Sequence, residues 1–139
     1  MKQFTSIQRF AGITALVLFT VNLVFHLLIL TGVIDYTLVW GGRLRTQTEM
    51  VQFETVSLVL NVVFLLVVCV RMNWIRVRIP GIALTITLWL MAGLFLLNTL
   101  GNLASLNRLE TLIFTPVTLV LAVCCGVLAM VKNQKSPSA

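Results

Sequence analysis

His26 is the single histidine of a 139-residue chain, and it lies inside a long apolar run. Asn22 stands one helical turn before it, on the same helical face. Glu54 lies near the start of a second apolar run, and Ser57 and Asn61 follow at positions that share its face. A histidine and a carboxylate brought together form a minimal proton-handling or cation-binding pair. Asn98, Thr99 and Asn102 fall near the end of a third run, and Glu110, Thr115 and Thr118 lie in or just before a fourth. Ionisable and amide side chains among hydrocarbon cost several kcal/mol each unless they are paired or wet. They are therefore expected to turn toward one another and line a common pocket. The competing expectation is that Asn22, Asn61 and Asn98 tie helices together by interhelical hydrogen bonds. Glu54 and Glu110 have a second reading as hydrated partners of positive helix N-termini.

Between the first two runs lies Trp40-Gly41-Gly42-Arg43. It reads as an interfacial tryptophan anchor followed by a flexible turn and a snorkelling arginine. It also reads as a lid, in which Arg43 clamps an anionic group or pairs with Glu49 or Glu54. A partner-docking loop is the third reading. Trp74 and Trp89 read as bilayer anchors or packing residues.

Lipid is the solvent this composition suits. Apolar residues make up 59% of the chain and charged residues 10%, whereas a soluble domain is roughly a quarter charged. A spanning helix needs about 20 mostly apolar residues. Four stretches meet that length, at about 10–34, 51–70, 81–100 and 112–131. They are continuous rather than alternating, and unpaired backbone is not tolerated in hydrocarbon, so each is expected to be a helix. The expected fold class is all-α: an integral membrane four-helix bundle forming one domain over 1–132, with a disordered tail over 133–139. The first run is too long for the apolar core of a typical signal peptide, and no A-x-A-like site follows it, so it is expected to remain as a helix. Thr115-Pro116 is expected in the first turn of the fourth helix, where proline is tolerated.

The net charge of +6 is distributed unevenly. Lys2, Arg9, Arg71, Arg76, Arg78, Lys132 and Lys135 fall on one side of the four spans. Arg43, Arg45, Arg108 and all four carboxylates fall on the other. Lysine and arginine favour the cytoplasmic side, so both termini are expected there. The basic residues flank apolar runs instead of forming an interleaved face. They point to anionic lipid as the partner and away from nucleic acid.

Phe53-Glu-Thr-Val-Ser-Leu-Val-Leu-Asn-Val62 aligns with Phe114-Thr-Pro-Val-Thr-Leu-Val-Leu-Ala-Val123, with six of ten positions identical. Two parallel hairpins related by an axis along the membrane normal would account for this repeat. Chance alignment of Val/Leu runs is the alternative.

Several chemistries lack their signatures. There is no H-E-x-x-H motif, P-loop, dinucleotide fingerprint or G-x-S-x-G elbow. One histidine and no C-x-x-C pair give no usual zinc site, and no cofactor or metal is expected. Cys69, Cys124 and Cys125 all lie inside apolar runs and read as small buried hydrophobes.

Trp40-Gly41-Gly42-Arg43-Leu44, Phe53-Glu54-Thr55, Asn98-Thr99-Leu100-Gly101-Asn102 and Phe114-Thr115-Pro116 resemble segments of a group of short bacterial four-helix membrane proteins. The resemblance implies the four-helix plan and a bacterial inner membrane, and it adds no activity. The plan is also similar to that of the sterol-isomerase and sigma-2-receptor type, which keeps acidic residues in an intramembrane cavity. That likeness is one of architecture alone.

The leading expectation is a binding or transport protein with an outer-leaflet pocket. Its lining would be His26, Glu54, Asn61, Asn98 and Asn102, with Asn22, Trp40 and Arg43 beside it. The ligand would be a lipid or a small amphipathic molecule, with Glu54 supplying charge for a cationic one. Transport would imply a homo-oligomer. An intramembrane enzyme using His26 or Glu54 as a proton shuttle is the second expectation, and an accessory subunit of a larger membrane complex is the third.

Overall fold

The computed structural model describes residues 4–105 and 107–131. The expected tail at 133–139 lies outside them, as do Lys2, Lys132 and Lys135. Four helices account for most of the chain: α1 (Ser6–Leu30), α2 (Gln47–Arg71), α3 (Gly81–Leu103) and α4 (Arg108–Ala129). All four are long and apolar enough to cross a membrane, and the described residues contain no strand. The protein is an all-α, four-helix integral membrane protein. The 31–46 loop lies at the upper end of the bundle.

Helix ends differ from the expected ones because caps extend helices into polar sequence. α1 starts at Ser6, not near Phe10. Thr5 and Gln8 form a reciprocal capping box there. α2 starts at Gln47, not near Val51, with the same box built by Thr46 and Glu49. α1 in turn stops at Leu30 rather than Ile34. α4 starts at Arg108, so Pro116 is not in the first turn but two turns inside the helix. Having no N–H, Pro116 leaves the Leu112 carbonyl without its usual helical donor.

The core occupies the lower and middle bundle. Ala11, Ala15 and Phe19 of α1 share a buried cluster with Leu88, Met91, Ala92 and Phe95 of α3. Val68 of α2, Met72 just after that helix, and Leu121, Ala122, Cys124, Cys125, Leu128 and Ala129 of α4 complete the cluster. Small residues at 11, 12 and 15 let α1 approach closely, and a side chain at Gly12 would strike Met72. Phe19, Phe64 and Phe95 pack with ring centroids 5.6 to 6.1 Å apart. Outside this core the helices expose large apolar side chains such as Val17, Val59, Leu90, Leu97 and Val123. In water that surface would be a liability, but toward acyl chains it is the expected exterior.

Arg71, one of the basic residues flanking the spans, is the last residue of α2 and is completely buried. Its Nε donates to the Leu128 carbonyl at 2.9 Å, and Nη2 donates to those of Ala129 and Val131 at 3.2 and 2.6 Å. The guanidinium thus caps carbonyls at and just beyond the end of α4, of which that of Leu128 also accepts the Val131 N–H at 3.3 Å.

α1 packs on α2 and α3 on α4, giving two hairpins. A strict two-fold relation between them would make the α1–α4 and α2–α3 seams alike. The α1–α4 seam is well packed, whereas α2 and α3 barely touch. The departure from symmetry leaves one side of the bundle open.

Candidate functional site

The open seam leads into a cavity of about 400 Å³ in the upper half of the bundle. All four helices contribute to it. α1 supplies Asn22, Phe25, His26 and Ile29, and α2 supplies Phe53, Glu54, Ser57 and Asn61. α3 supplies Phe95, Asn98 and Asn102, and α4 supplies Glu110, Phe114 and Thr118. Phe64, Phe95 and Leu121 belong both to the cavity wall and to the core clusters, so they form its floor. Val56 and Leu60 of α2, with Leu94 and Asn98 of α3, line the cavity while exposed on the bundle exterior. They mark a mouth between α2 and α3 that opens sideways.

Glu54 is the electrostatic centre. It has no exposed surface and is the eighth residue of α2. It therefore does not serve the helix N-terminus, which Thr46 and Glu49 already cap. His26 Nδ1 lies 2.6 Å from Glu54 Oε2, close enough that one proton must sit between them. With Glu54 ionised, the Nδ1–H donates to it. The Trp40 indole Nε1–H donates to Oε1 at 2.7 Å. Both carboxylate oxygens are thus occupied, as a buried anion requires. His26 is four residues from the end of α1 and so sits nearer the upper surface than expected.

The 31–46 loop closes over this pair. Trp40 packs on Phe53 at a centroid distance of 5.1 Å. Its φ of +56° lies in the left-handed region, and Gly41 and Gly42 continue there at +67° each. Glycine takes that conformation without penalty, but for tryptophan it costs about 1–2 kcal/mol. The Gly41 N–H donates to Glu110 Oε2 at 2.7 Å, and the Ser105 hydroxyl donates to the same oxygen. The loop is therefore held to α2 through Glu54 and to α4 through Glu110. Val39 and Leu44 of the loop form a small apolar cluster with Ile29 of α1 and Met50 of α2.

Arg43 does not make the carboxylate pair that the lid reading allowed. It is exposed and forms no ion pair with Glu49 or Glu54 among the described residues. Glu49 Oε2 instead accepts from the Arg45 and Thr46 backbone N–H groups. The element that clamps Glu54 is the Trp40 indole.

The asparagines divide. Asn102 Nδ2 donates to Thr118 Oγ1 at 3.3 Å, and Thr118 and Thr99 hydroxyls lie 2.9 Å apart. Those three join α3 to α4. Asn22 and Asn98 line the cavity but take no part in the side-chain hydrogen bonds of the described residues. Asn61 is 6% exposed, and its Oδ1 is buried with no partner. Among the described residues, Thr115 Oγ1 is the other buried polar side-chain atom without one. The interhelical role expected for Asn22, Asn61 and Asn98 is thus filled by Asn102, Thr99 and Thr118.

A second cleft of about 310 Å³ lies on the α1–α4 side. Its walls are apolar apart from Asn22 and Glu110. Phe25 and Phe114 line both cavities, with ring centroids 4.9 Å apart, and form the wall between them.

Among the described residues no cluster of histidine, cysteine or carboxylate groups could hold a metal ion. The chain matches no family model, no curated protein and no solved structure.

Proposed function

We propose that this protein binds a small amphipathic molecule or membrane lipid in the cavity beneath Trp40, and holds or passes it within the outer leaflet. The observation that carries the reading is Asn61, which is almost wholly buried with an unpartnered Oδ1 on the wall of an accessible cavity. An orphaned acceptor in hydrocarbon costs about 1–3 kcal/mol. A bound donor would recover that cost. The sideways mouth between α2 and α3 supports entry from the bilayer, where such ligands partition. The lysine and arginine distribution favours cytoplasmic termini, which turns the mouth toward the outer leaflet of a bacterial inner membrane. Transport of the ligand would require a homo-oligomer, because four helices leave little room for a continuous path.

Native mass spectrometry of protein extracted from its own membrane tests this. The expected spectrum shows a retained lipid-sized mass that disappears when Leu60→Trp and Leu94→Trp fill the mouth. Absence of any retained molecule in the unmodified protein would remove the proposal.

One observation favours a second reading. His26 and Glu54, 2.6 Å apart on the cavity wall, could pass a proton to and from a bound substrate, as in a lipid isomerase. Under that reading Glu54→Gln and His26→Ala each abolish turnover of the bound molecule while helicity is retained.

A further inference from the structure

We infer that the cavity selects a neutral, hydroxyl-bearing lipid, whose O–H is donated to Asn61 Oδ1. The inference rests on the proposed binding role and narrows its ligand. Charge on the cavity wall excludes the alternatives one at a time.

An anionic head group would meet Glu54 and Glu110 and no lysine or arginine, since none lines the cavity. The nearest candidate, Arg43, is exposed on the loop. A cationic head group is the ligand Glu54 would suit if its carboxylate were free. It is not, because His26 holds Oε2 and Trp40 holds Oε1. Glu110 Oε2 likewise already takes the Gly41 N–H and the Ser105 hydroxyl. A cation would therefore give up its hydration in a mostly aromatic and aliphatic cavity for carboxylates that already hold donors. Asn61 remains, two turns deeper along α2, as a buried acceptor that no protein group satisfies. A hydroxyl is the smallest uncharged group able to donate to it. Aromatic and aliphatic walls from Phe53, Phe64, Phe95 and Phe114 suit the attached hydrocarbon.

The test uses Trp40 as reporter, with Trp74→Phe and Trp89→Phe removing the other indoles. Four probes share a bromine-tipped hexyl chain, which quenches a nearby indole. They end in a hydroxyl, a sulfonate, a trimethylammonium or a plain methyl group. Each is titrated into the full chain in phosphatidylcholine nanodiscs. The expected result is saturable quenching by the alcohol at about tenfold lower concentration than by either charged probe. Asn61→Leu is expected to abolish the alcohol's advantage over the methyl-ended chain while leaving the latter's quenching intact. An advantage that survives Asn61→Leu, or equal binding by alcohol and methyl-ended chain in the unmodified protein, overturns the inference. Preference for trimethylammonium or sulfonate also overturns it, while leaving the binding role standing. If no probe quenches saturably, the binding role falls as well. The head-group order in the unmodified protein decides the matter even if the Asn61 variant does not fold.

Discussion

Trp40 donates its indole N–H to a carboxylate of Glu54 that has no solvent exposure, and so fixes the upper loop onto α2. The same loop donates the Gly41 N–H to Glu110 on α4. One short segment therefore spans both hairpins directly over the cavity. Its backbone is left-handed at three consecutive residues, one of them a tryptophan. Such a conformation persists only when surrounding contacts hold it.

Trp40→Phe keeps the aromatic packing on Phe53 and removes the donor. Glu54 Oε1 is then buried without its partner, at a cost of about 1–3 kcal/mol. The loop is expected to open more often. Trypsin cleavage after the exposed Arg43 and Arg45 should accelerate by about tenfold, measured by gel or mass spectrometry in detergent. An unchanged cleavage rate would show that the indole does not hold the loop.

Breaking the buried pair from one side should cost more than replacing both partners. His26→Leu leaves Glu54 facing an apolar wall and is expected to destabilise by about 3–5 kcal/mol. Adding Glu54→Leu to that variant should restore part of the loss, although Trp40 then lacks its acceptor. Thermal melting of the single and double variants, read by circular dichroism, gives the coupling. Strict additivity would mean the 2.6 Å contact carries no energy.

Arg71 is an anchor at the other end. Arg71→Lys can reach one carbonyl where the guanidinium reaches those of Leu128, Ala129 and Val131. A loss of about 1–3 kcal/mol is expected, with Arg71→Met worse. Hydrogen exchange should rise in the last turn of α4 before it rises elsewhere. A variant as protected as the parent would contradict the capping role.

Asp35 provides a pH signature outside the spans. Its carboxylate accepts from the Thr37 N–H and hydroxyl, each at 2.9 Å. The Thr37 backbone bond, followed by the hydroxyl bond, holds its carboxyl below the ordinary aspartate range. A lowered folded value means that this contribution to the turn is complete above the ordinary aspartate value. It is lost as pH falls through the lowered one. The Thr37 amide resonance should report a midpoint below that of a free aspartate. In Asp35→Asn the transition should vanish.

Much of the architecture was legible from hydropathy alone. Four uninterrupted apolar runs leave lipid as the only suitable solvent, and in lipid a continuous backbone must be helical. Helix ends were less legible, because apolar runs do not include the polar caps at Thr5 and Thr46 that lengthen α1 and α2. Desolvation cost pointed to a common pocket for His26 and Glu54 but left open whether they touch, and the structure sets Nδ1 2.6 Å from Oε2.

What the chain's order of residues could not decide was which donors each carboxylate would take. Trp40, not Arg43, binds Glu54, from a loop whose backbone is left-handed at residues 40, 41 and 42. Likewise Asn22, Asn61 and Asn98 were the expected ties between helices, and Asn102 was expected in the pocket. Only the α3–α4 seam brings Asn102 within reach of Thr118, while the gap between α2 and α3 leaves Asn61 unsatisfied. Local periodicity fixes which face a side chain occupies. Whether that face meets a neighbour or a void depends on how whole helices pack, and so is settled only in three dimensions.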